Sequence, residues 1–362
     1  MLSYHELATI ARDLANERVL SVYLDAAFDD PARRNAWRGP LDNAIRDIRR
    51  DVEGASHTER AHVERCLALL DHELAPFAGG VGAAGWVGFI TPDGVRVSEK
   101  VPAPMPTMAV WTNGPCVAPY VRALKQARPV VVIVADASRA RLARYAEGRL
   151  EPARTVHAHA TIEAPLHMGD APRLGFHAGT RGTTGRDASQ SARHVGEDRM
   201  IDEVTHESLE MAGRDGWILV AGIPEVGAHL ARALEKVAVD RVLRLDGLDV
   251  HATDAQIQAA AERGASQLRD DFEWRRVSEI TGAADQERLV VRGATATRTA
   301  LDQESVRELY LTPRFLTEHP ADAEHAVRAA ILQRAAIEEV FRAAAQRLDE
   351  YGGIGARLRY AV

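Results

Sequence analysis

Cysteine is nearly absent: the 362 residues contain two, Cys66 and Cys116, in unrelated contexts. Two isolated thiols support neither a disulfide framework nor a cysteine zinc site, so both are expected to be core or incidental groups. Aromatic residues are also few, at 5%, and lysine is sparse beside abundant arginine and alanine. No run approaches the 18 apolar residues of a membrane-spanning helix, and the opening MLSYHELATIARDLANERVL is charged and amphipathic, unlike a secretion signal. A cytoplasmic protein with no membrane partner is expected. Net positive charge is missing as well: the formal charge is −7, and cuts near residues 128 and 254 leave no part basic overall. This speaks against DNA as a partner and restricts any RNA contact to local arginine clusters. Two such clusters stand out: Arg33, Arg34, Arg38, Arg46, Arg49 and Arg50; and Arg173, Arg181, Arg186, Arg193 and Arg199.

Common catalytic motifs are missing too. There is no G-K-[ST], which excludes a P-loop, no G-x-S-x-G elbow and no H-E-x-x-H. Gly80, Gly82 and Gly85 spell G-x-G-x-x-G, but they lead into the strand-like WVGFI, whereas dinucleotide binding needs a helix N-terminus there. His157 and His159 would share one face of a strand, but no further ligand accompanies them, and solvent-facing histidines are the simpler reading. No cofactor and no metal site are expected.

What is present is enough apolar residue, 46%, to build real cores, in a chain long enough for two or three domains. A first helix is followed by the strand VLSVYLD, helical stretches at Asn35–Val52 and Thr58–Leu74, and GWVGFITPDGVRVSEKV, in which Pro92-Asp93-Gly94 marks a hairpin. MAVWT adds a strand, giving an α+β domain over 1–128. At Pro129 the texture changes to VVVIVADASRARLARYAEGRLEP, the first two strands of a new sheet, with a further strand at Val156–Ile162. Residues 165–190 then lack periodicity and are rich in Gly, Thr, Arg and His, and loops of that length in compact domains are usually functional. A helix from Gln190 to Ala212, the buried strand WILVAG, a helix at Val226–Val237 and RVLRL complete a middle domain, 129–253. The last part, 254–362, alternates helices with short strands, predicts a long helix through AAIEEVFRAAAQRLDEYG, and reads as an α/β/α domain.

In that order, several segments resemble the archaeal and eukaryotic class-one release factors and Pelota. Ala188-Ser189-Gln190, followed by Ser191-Ala192, Arg193 and Arg199, is similar to that family's Gly-Gly-Gln loop and Arg-bearing helix. VVVIVADASRARLARYAEGRL, WILVAG and DRVLRL are similar to its middle domain, and RGATATRTALDQESVRELYL and GGIGARLRY to its third domain. The resemblance implies a three-domain fold of α/β and α+β type: a middle domain with a mixed sheet and a long Gly/Arg loop, and a C-terminal ribosomal-protein-like domain.

Two departures alter the implied function. The family's paired glycines are Ala188 and Ser189 here, whose β-carbons raise the cost of a left-handed backbone by roughly 1 to 2 kcal/mol each. Where the family carries a stop-codon loop of Asn-Ile-Lys-Ser, this chain has DDPARRNAW. The pattern resembles Balon-type hibernation factors, bacterial members of the superfamily that enter the ribosomal A site with EF-Tu. It implies a hibernation factor on the 70S ribosome, contacting 16S rRNA at the decoding centre through Arg33, Arg34, Asn35, Trp37 and Arg38. It would contact 23S rRNA at the peptidyl-transferase region through Arg173, His177, Arg181, Gly182, Thr183, Thr184, Gly185, Arg186, Ser189, Gln190 and Arg193. EF-Tu is an expected partner through the middle and C-terminal domains. Two alternatives stand beside it: a rescue factor hydrolysing peptidyl-tRNA through Gln190, which would make the protein an enzyme, and an interaction protein of this fold acting away from the ribosome. Trp37 is expected either to stack on a base or, more simply, to pack in the core.

Overall fold

A computed structural model describes residues 2–28, 31–126, 128–146, 148–158, 185–282 and 289–360; for residues 31 and 185–193 only the backbone is described. The chain forms two compact units, Met1–Ala127 together with Asp270–Val362, and Arg128–Arg269.

The first unit opens with α1 (Tyr4–Asp13), started by a reciprocal cap in which the Ser3 side chain accepts from the Glu6 N–H and the Glu6 carboxylate accepts from the Ser3 N–H. Then come β1 (Arg18–Asp25), a 3-10 turn at Pro31–Arg33, α2 (Arg38–Asp51) and α3 (His57–Leu74). β2 (Gly85–Thr91), β3 (Gly94–Val101), β4 (Met108–Asn113) and α4 (Tyr120–Gln126) follow. The sheet order is β3-β2-β1-β4, all neighbours antiparallel, and Thr91 pairs with Gly94 so that Pro92-Asp93 is a two-residue hairpin turn, as the sequence predicts. Period-two alternation sorts β1 between two cores. Leu20, Val22 and Leu24 face α2 and α3, with Trp86, Ile90, Val63 and Leu70, whereas Val19 and Tyr23 face a second core with α1 and α4.

The second unit holds β5 (Val130–Ala135), β6 (Arg139–Ala146), β7 (Arg149–Leu150), β8 (Arg154–His157), α5 (Gly185–Ala212), β9 (Trp217–Gly222), α6 (Pro224–Glu235) and β10 (Val242–Arg244). It is a mixed sheet: β10, β9 and β5 run parallel, and β6 pairs antiparallel with β5, β7 and β8. VVVIVA and WILVAG are the central parallel pair, which explains their unbroken apolar runs, since such strands are covered on both faces. The following helix, α7 (Asp254–Gly282), spans both units.

The remainder of the first unit comprises β11 (Val290–Arg292), α8 (Ala294–Asp302), β12 (Val306–Leu311), α9 (Pro313–Glu318), α10 (Pro320–Leu332), β13 (Ala336–Glu339), α11 (Arg342–Asp349) and β14 (Ile354–Leu358). The sheet order is β11-β14-β12-β13. It is the middle layer of an α/β/α sandwich: Leu309 and Leu311 pack with α8 and α10, while Tyr310 packs with Val277 and Ile280 of α7 and with α11. The α8–α10 face shares its core with α1 and α4, so the chain's two ends fold as one body.

Strand β8 runs Arg154–His157 where the sequence predicts Val156–Ile162, of which residues 159–162 lie outside the described ones, and two further elements differ from the sequence expectation. The long helix predicted through AAIEEVFRAAAQRLDEYG is instead strand β13 and the short helix α11. Ala and Glu favour helix locally, but β13 pairs in parallel with β12, and α9 and α10 supply the crossover a parallel pair requires. Helix α5 begins at Gly185, five residues before the predicted Gln190. Asp187 falls in its first turn, where a carboxylate opposes the helix dipole, and Ala188, Gln190 and Ala192 are good helix formers.

Candidate nucleic-acid interface

The segment between β1 and α2 folds over the turn that precedes β2. Asn35 Nδ2 donates to the Ala78 carbonyl at 3.3 Å, and Trp37, only 3% exposed, packs into the core under α2 and α3. Of the two roles open to Trp37, the structure selects core packing: its ring is not available to stack on a base. The neighbouring guanidinium of Arg38 lies 4.7 Å from the Trp37 ring centroid, a cation–π contact that leaves its charge at the surface. Arg33, Arg34 and Arg38 are exposed and Asn35 is half-buried. Two buried polar atoms here, Asn35 Oδ1 and Trp37 Nε1, find no hydrogen-bond partner among the described residues.

The rest of this arginine cluster is occupied within the protein. Arg49 makes a two-pronged contact with Glu64 at 2.8 and 2.9 Å, Arg50 pairs with Asp47, and Arg46 donates to Asn43. Arg60 of α3 donates to the Glu53 and Ala55 carbonyls. Among the described residues no carboxylate pairs with Arg33, Arg34 or Arg38. The structure thus divides one sequence cluster into arginines that brace α2 and exposed arginines that have no carboxylate partner among the described residues.

The second candidate patch is only partly within reach. Arg173, His177, Arg181, Gly182, Thr183 and Thr184 lie outside the described residues. Gly185, Arg186, Ser189, Gln190 and Arg193 are placed as backbone, all on the first turns of α5. Gln190 therefore stands on a helix rather than at a loop tip, and Ala188 and Ser189 hold right-handed helical backbone in which a β-carbon costs nothing. Arg199, farther along α5, is exposed.

Sequence reasoning missed a buried charge cluster. Lys125, Glu273, Glu338 and Glu339 are all at most 4% exposed. Lys125 Nζ lies 2.5 Å from Glu273 Oε1 and also donates to the Glu339 carbonyl, and Arg122 grips the Glu339 carboxylate at 2.6 and 3.0 Å. Burial raises the Glu273 carboxyl above the ordinary carboxylate range, against the opposing pull of Lys125 and the Phe341 N–H. The cluster joins α4, α7 and β13, so its role is to fasten elements of the first unit to one another. Reading AIEE as helix hid it. Burial pushes Cys66 up to about 12 and Cys116 well above the usual thiol range, which disfavours the thiolate in both. Among the described residues no group of three or more His, Cys, Asp and Glu could hold a metal, and no helix is long and apolar enough to cross a membrane.

No protein-family model matches the chain, and no curated protein matches it. Solved structures do. An archaeal translation termination factor, aRF1, aligns over 99% of this chain and 99% of its own at 14% identity, with a TM-score of 0.25. Ribosome-bound archaeal Pelota, in a model with ABCE1, aligns over 76% and 78% at 15% identity and a TM-score of 0.41. Dom34 of S. cerevisiae, described as a translation termination-like factor interacting with Hbs1, aligns over 64% and 63% at 9% identity and a TM-score of 0.43. At TM-scores below one half these likenesses assign no activity to the chain.

Proposed function

We propose that this protein is a ribosome-binding translation factor that occupies the A site and protects idle ribosomes, without catalysing a reaction. One observation carries this reading. The segments that resemble class-one release factors occur in unbroken order and each builds a regular element, β5 and β6, β9, α8 with β12, and β14. Both places where termination chemistry would reside are altered, with Ala188-Ser189 before Gln190 and DDPARRNAW after β1. Retained scaffold with altered chemistry favours occupancy. On this reading, residues 1–128 face 16S rRNA at the decoding centre through Arg33, Arg34 and Arg38. Residues 129–253 carry the 165–190 segment and the start of α5 to 23S rRNA, and 254–362 contact a protein partner such as EF-Tu. The last region offers a groove of about 360 Å³ with an apolar floor of Leu301, Phe315 and Ile354 and a polar rim of Arg298, Asp322 and His325.

Sedimentation tests the proposal. The protein should travel with 70S ribosomes in extracts of starved cells, and the purified protein should bind vacant 70S and compete with A-site tRNA. Absence of ribosome association at low ionic strength would exclude it and favour an interaction protein acting elsewhere. Survival of Gln190 favours one second reading, a rescue factor in which its side chain positions water against the ester of peptidyl-tRNA.

A further inference from the structure

The turn before β2 exposes glycine residues beside cations that pair with no carboxylate among the described residues. Gly79 and Gly82 are exposed, and nothing lies within 4 Å of where a β-carbon on Gly79 would stand. Gly80 and Gly82 have φ of 114° and 71°, values that side-chain-bearing residues rarely adopt. The Gly80 N–H is taken by the Phe77 carbonyl at 3.0 Å, so what the turn offers an outside anion is its exposed glycine edge and the cations beside it. Side chains of two cationic residues border it. A β-carbon on Gly80 would sit 3.8 Å from Arg34 Cβ, and one on Gly82 would sit 3.6 Å from Lys100 Nζ. Lys100 reaches over the turn along the Phe77 ring, its ammonium 5.3 Å from the centroid. Among the described residues no carboxylate pairs with Lys100, Arg33 or Arg34, in contrast with the paired arginines of α2.

We propose that the Gly79–Gly82 turn, with Arg33, Arg34 and Lys100, binds a backbone phosphate of RNA. The proposal rests on the ribosome-binding reading and adds to it a ligand group, a glycine turn and a lysine. The glycines let an anion approach the backbone and leave room for both cation-bearing side chains. Arg33, Arg34, Lys100, Gly79 and Gly82 are all exposed, so the site is open, which suits a phosphate held in a chain better than a free small anion. Arginine contributes a planar fork for phosphate oxygens and Lys100 a compact charge, so together they neutralise one phosphodiester from two directions.

The test uses the full chain, a short labelled RNA hairpin and 70S ribosomes. Lys100→Gln should weaken hairpin binding about five- to tenfold at low salt and reduce the slope of log affinity against log salt by roughly one, the change for one lost phosphate contact. Lys100→Arg should restore both, with the melting temperature the same in all three proteins. The Gly79, Gly80 and Gly82 amide resonances should shift on adding hairpin. Unchanged affinity and slope in Lys100→Gln, or amide shifts confined to other segments, would overturn the site. So would shifts produced equally by inorganic phosphate, which would make it a free-anion site. Ribosome binding that ignores Lys100→Gln keeps the ribosomal reading and removes this site. Hairpin binding through the turn without ribosome association keeps the site and removes the ribosomal reading.

Discussion

Lys125 Nζ and Glu273 Oε1 lie 2.5 Å apart with side chains 3% and 1% exposed, joining α4 to α7 across 148 residues of sequence. Glu273 Oε2 also accepts from the Phe341 N–H at 2.6 Å, and Phe341 places its ring 5.1 Å from the ammonium. Removing one member of such a pair strands a buried charge, which costs more than the pair itself contributes. Lys125→Met should therefore lower unfolding free energy by about 3 to 5 kcal/mol. Adding Glu273→Gln should recover part of that loss, because the amide oxygen still accepts from Phe341. Urea titrations of both variants check this, and a single-variant cost below about 1 kcal/mol would contradict the structure.

Glu324 should make stability depend on pH. Its carboxylate accepts from the Val117 and Ala118 N–H groups at 2.9 Å, and Arg328 lies 3.2 Å away. Burial nonetheless outweighs these contacts and raises its pKa above the ordinary carboxylate value. The folded state then binds more protons than the unfolded one, so the group's contribution is full below the ordinary carboxylate range and is lost as pH rises through the raised value. As pH rises above the ordinary carboxylate range, the wild type should lose stability relative to Glu324→Gln. Parallel curves for the two proteins would show that the carboxylate titrates normally.

Gly222 closes the WILVAG strand at φ 113°, and a β-carbon there would stand 1.9 Å from the Ala135 carbonyl oxygen. Gly222→Ala combines an unfavourable backbone region with a clash against a neighbouring strand, for a loss of about 3 kcal/mol. Hydrogen exchange at β5 and β9 should accelerate by about two orders of magnitude, since local opening free energies set those rates. Unchanged protection would mean that the β5–β9 contact relaxes without cost.

Arg33→Glu with Arg34→Glu should weaken 70S binding at least about tenfold at low salt, as two phosphate contacts become repulsions. Both side chains are exposed, so the melting temperature should not move. Equal affinity of variant and wild type would remove this patch from the interface.

Gln190 separates occupancy from catalysis. Under the proposed function the wild type releases no labelled peptide from a stalled complex, and Gln190→Ala changes ribosome affinity by about 1 kcal/mol, one polar contact. Because Ala188 and Ser189 lie on α5, replacing both with glycine should also lower helicity at its start, at about 1 kcal/mol per residue. Peptide release that vanishes with Gln190→Ala would establish the rescue reading instead.

Local periodicity was enough to place most elements. Pro92-Asp93 between alternating runs gave the hairpin, VVVIVA and WILVAG two buried strands, and DAQIQAAAERGASQLRDDFEWRRVSEI the helix α7, because each pattern follows from contacts within a few residues or from coverage of both faces; that the two strands pair in parallel came from the fold. Trp37 is the case where the sequence leaves two roles open, base stacking or, more simply, core packing, and packing against α2 and α3 decides for the core. Lys100 escaped notice because its significance comes from Gly82 and Phe77, which tertiary packing brings to it.

The amino-acid sequence by itself determined most of the strands and helices and the hairpin turn, since propensity, turn chemistry and apolar period act over short stretches of chain. Tertiary structure alone decided that AIEE is a strand, that its glutamates meet Arg122 and Lys125, and that the two ends of the chain share a core. The reason is physical: a strand exists only where another strand offers an edge, and a carboxylate can be buried only where a distant cation and donor N–H groups await it.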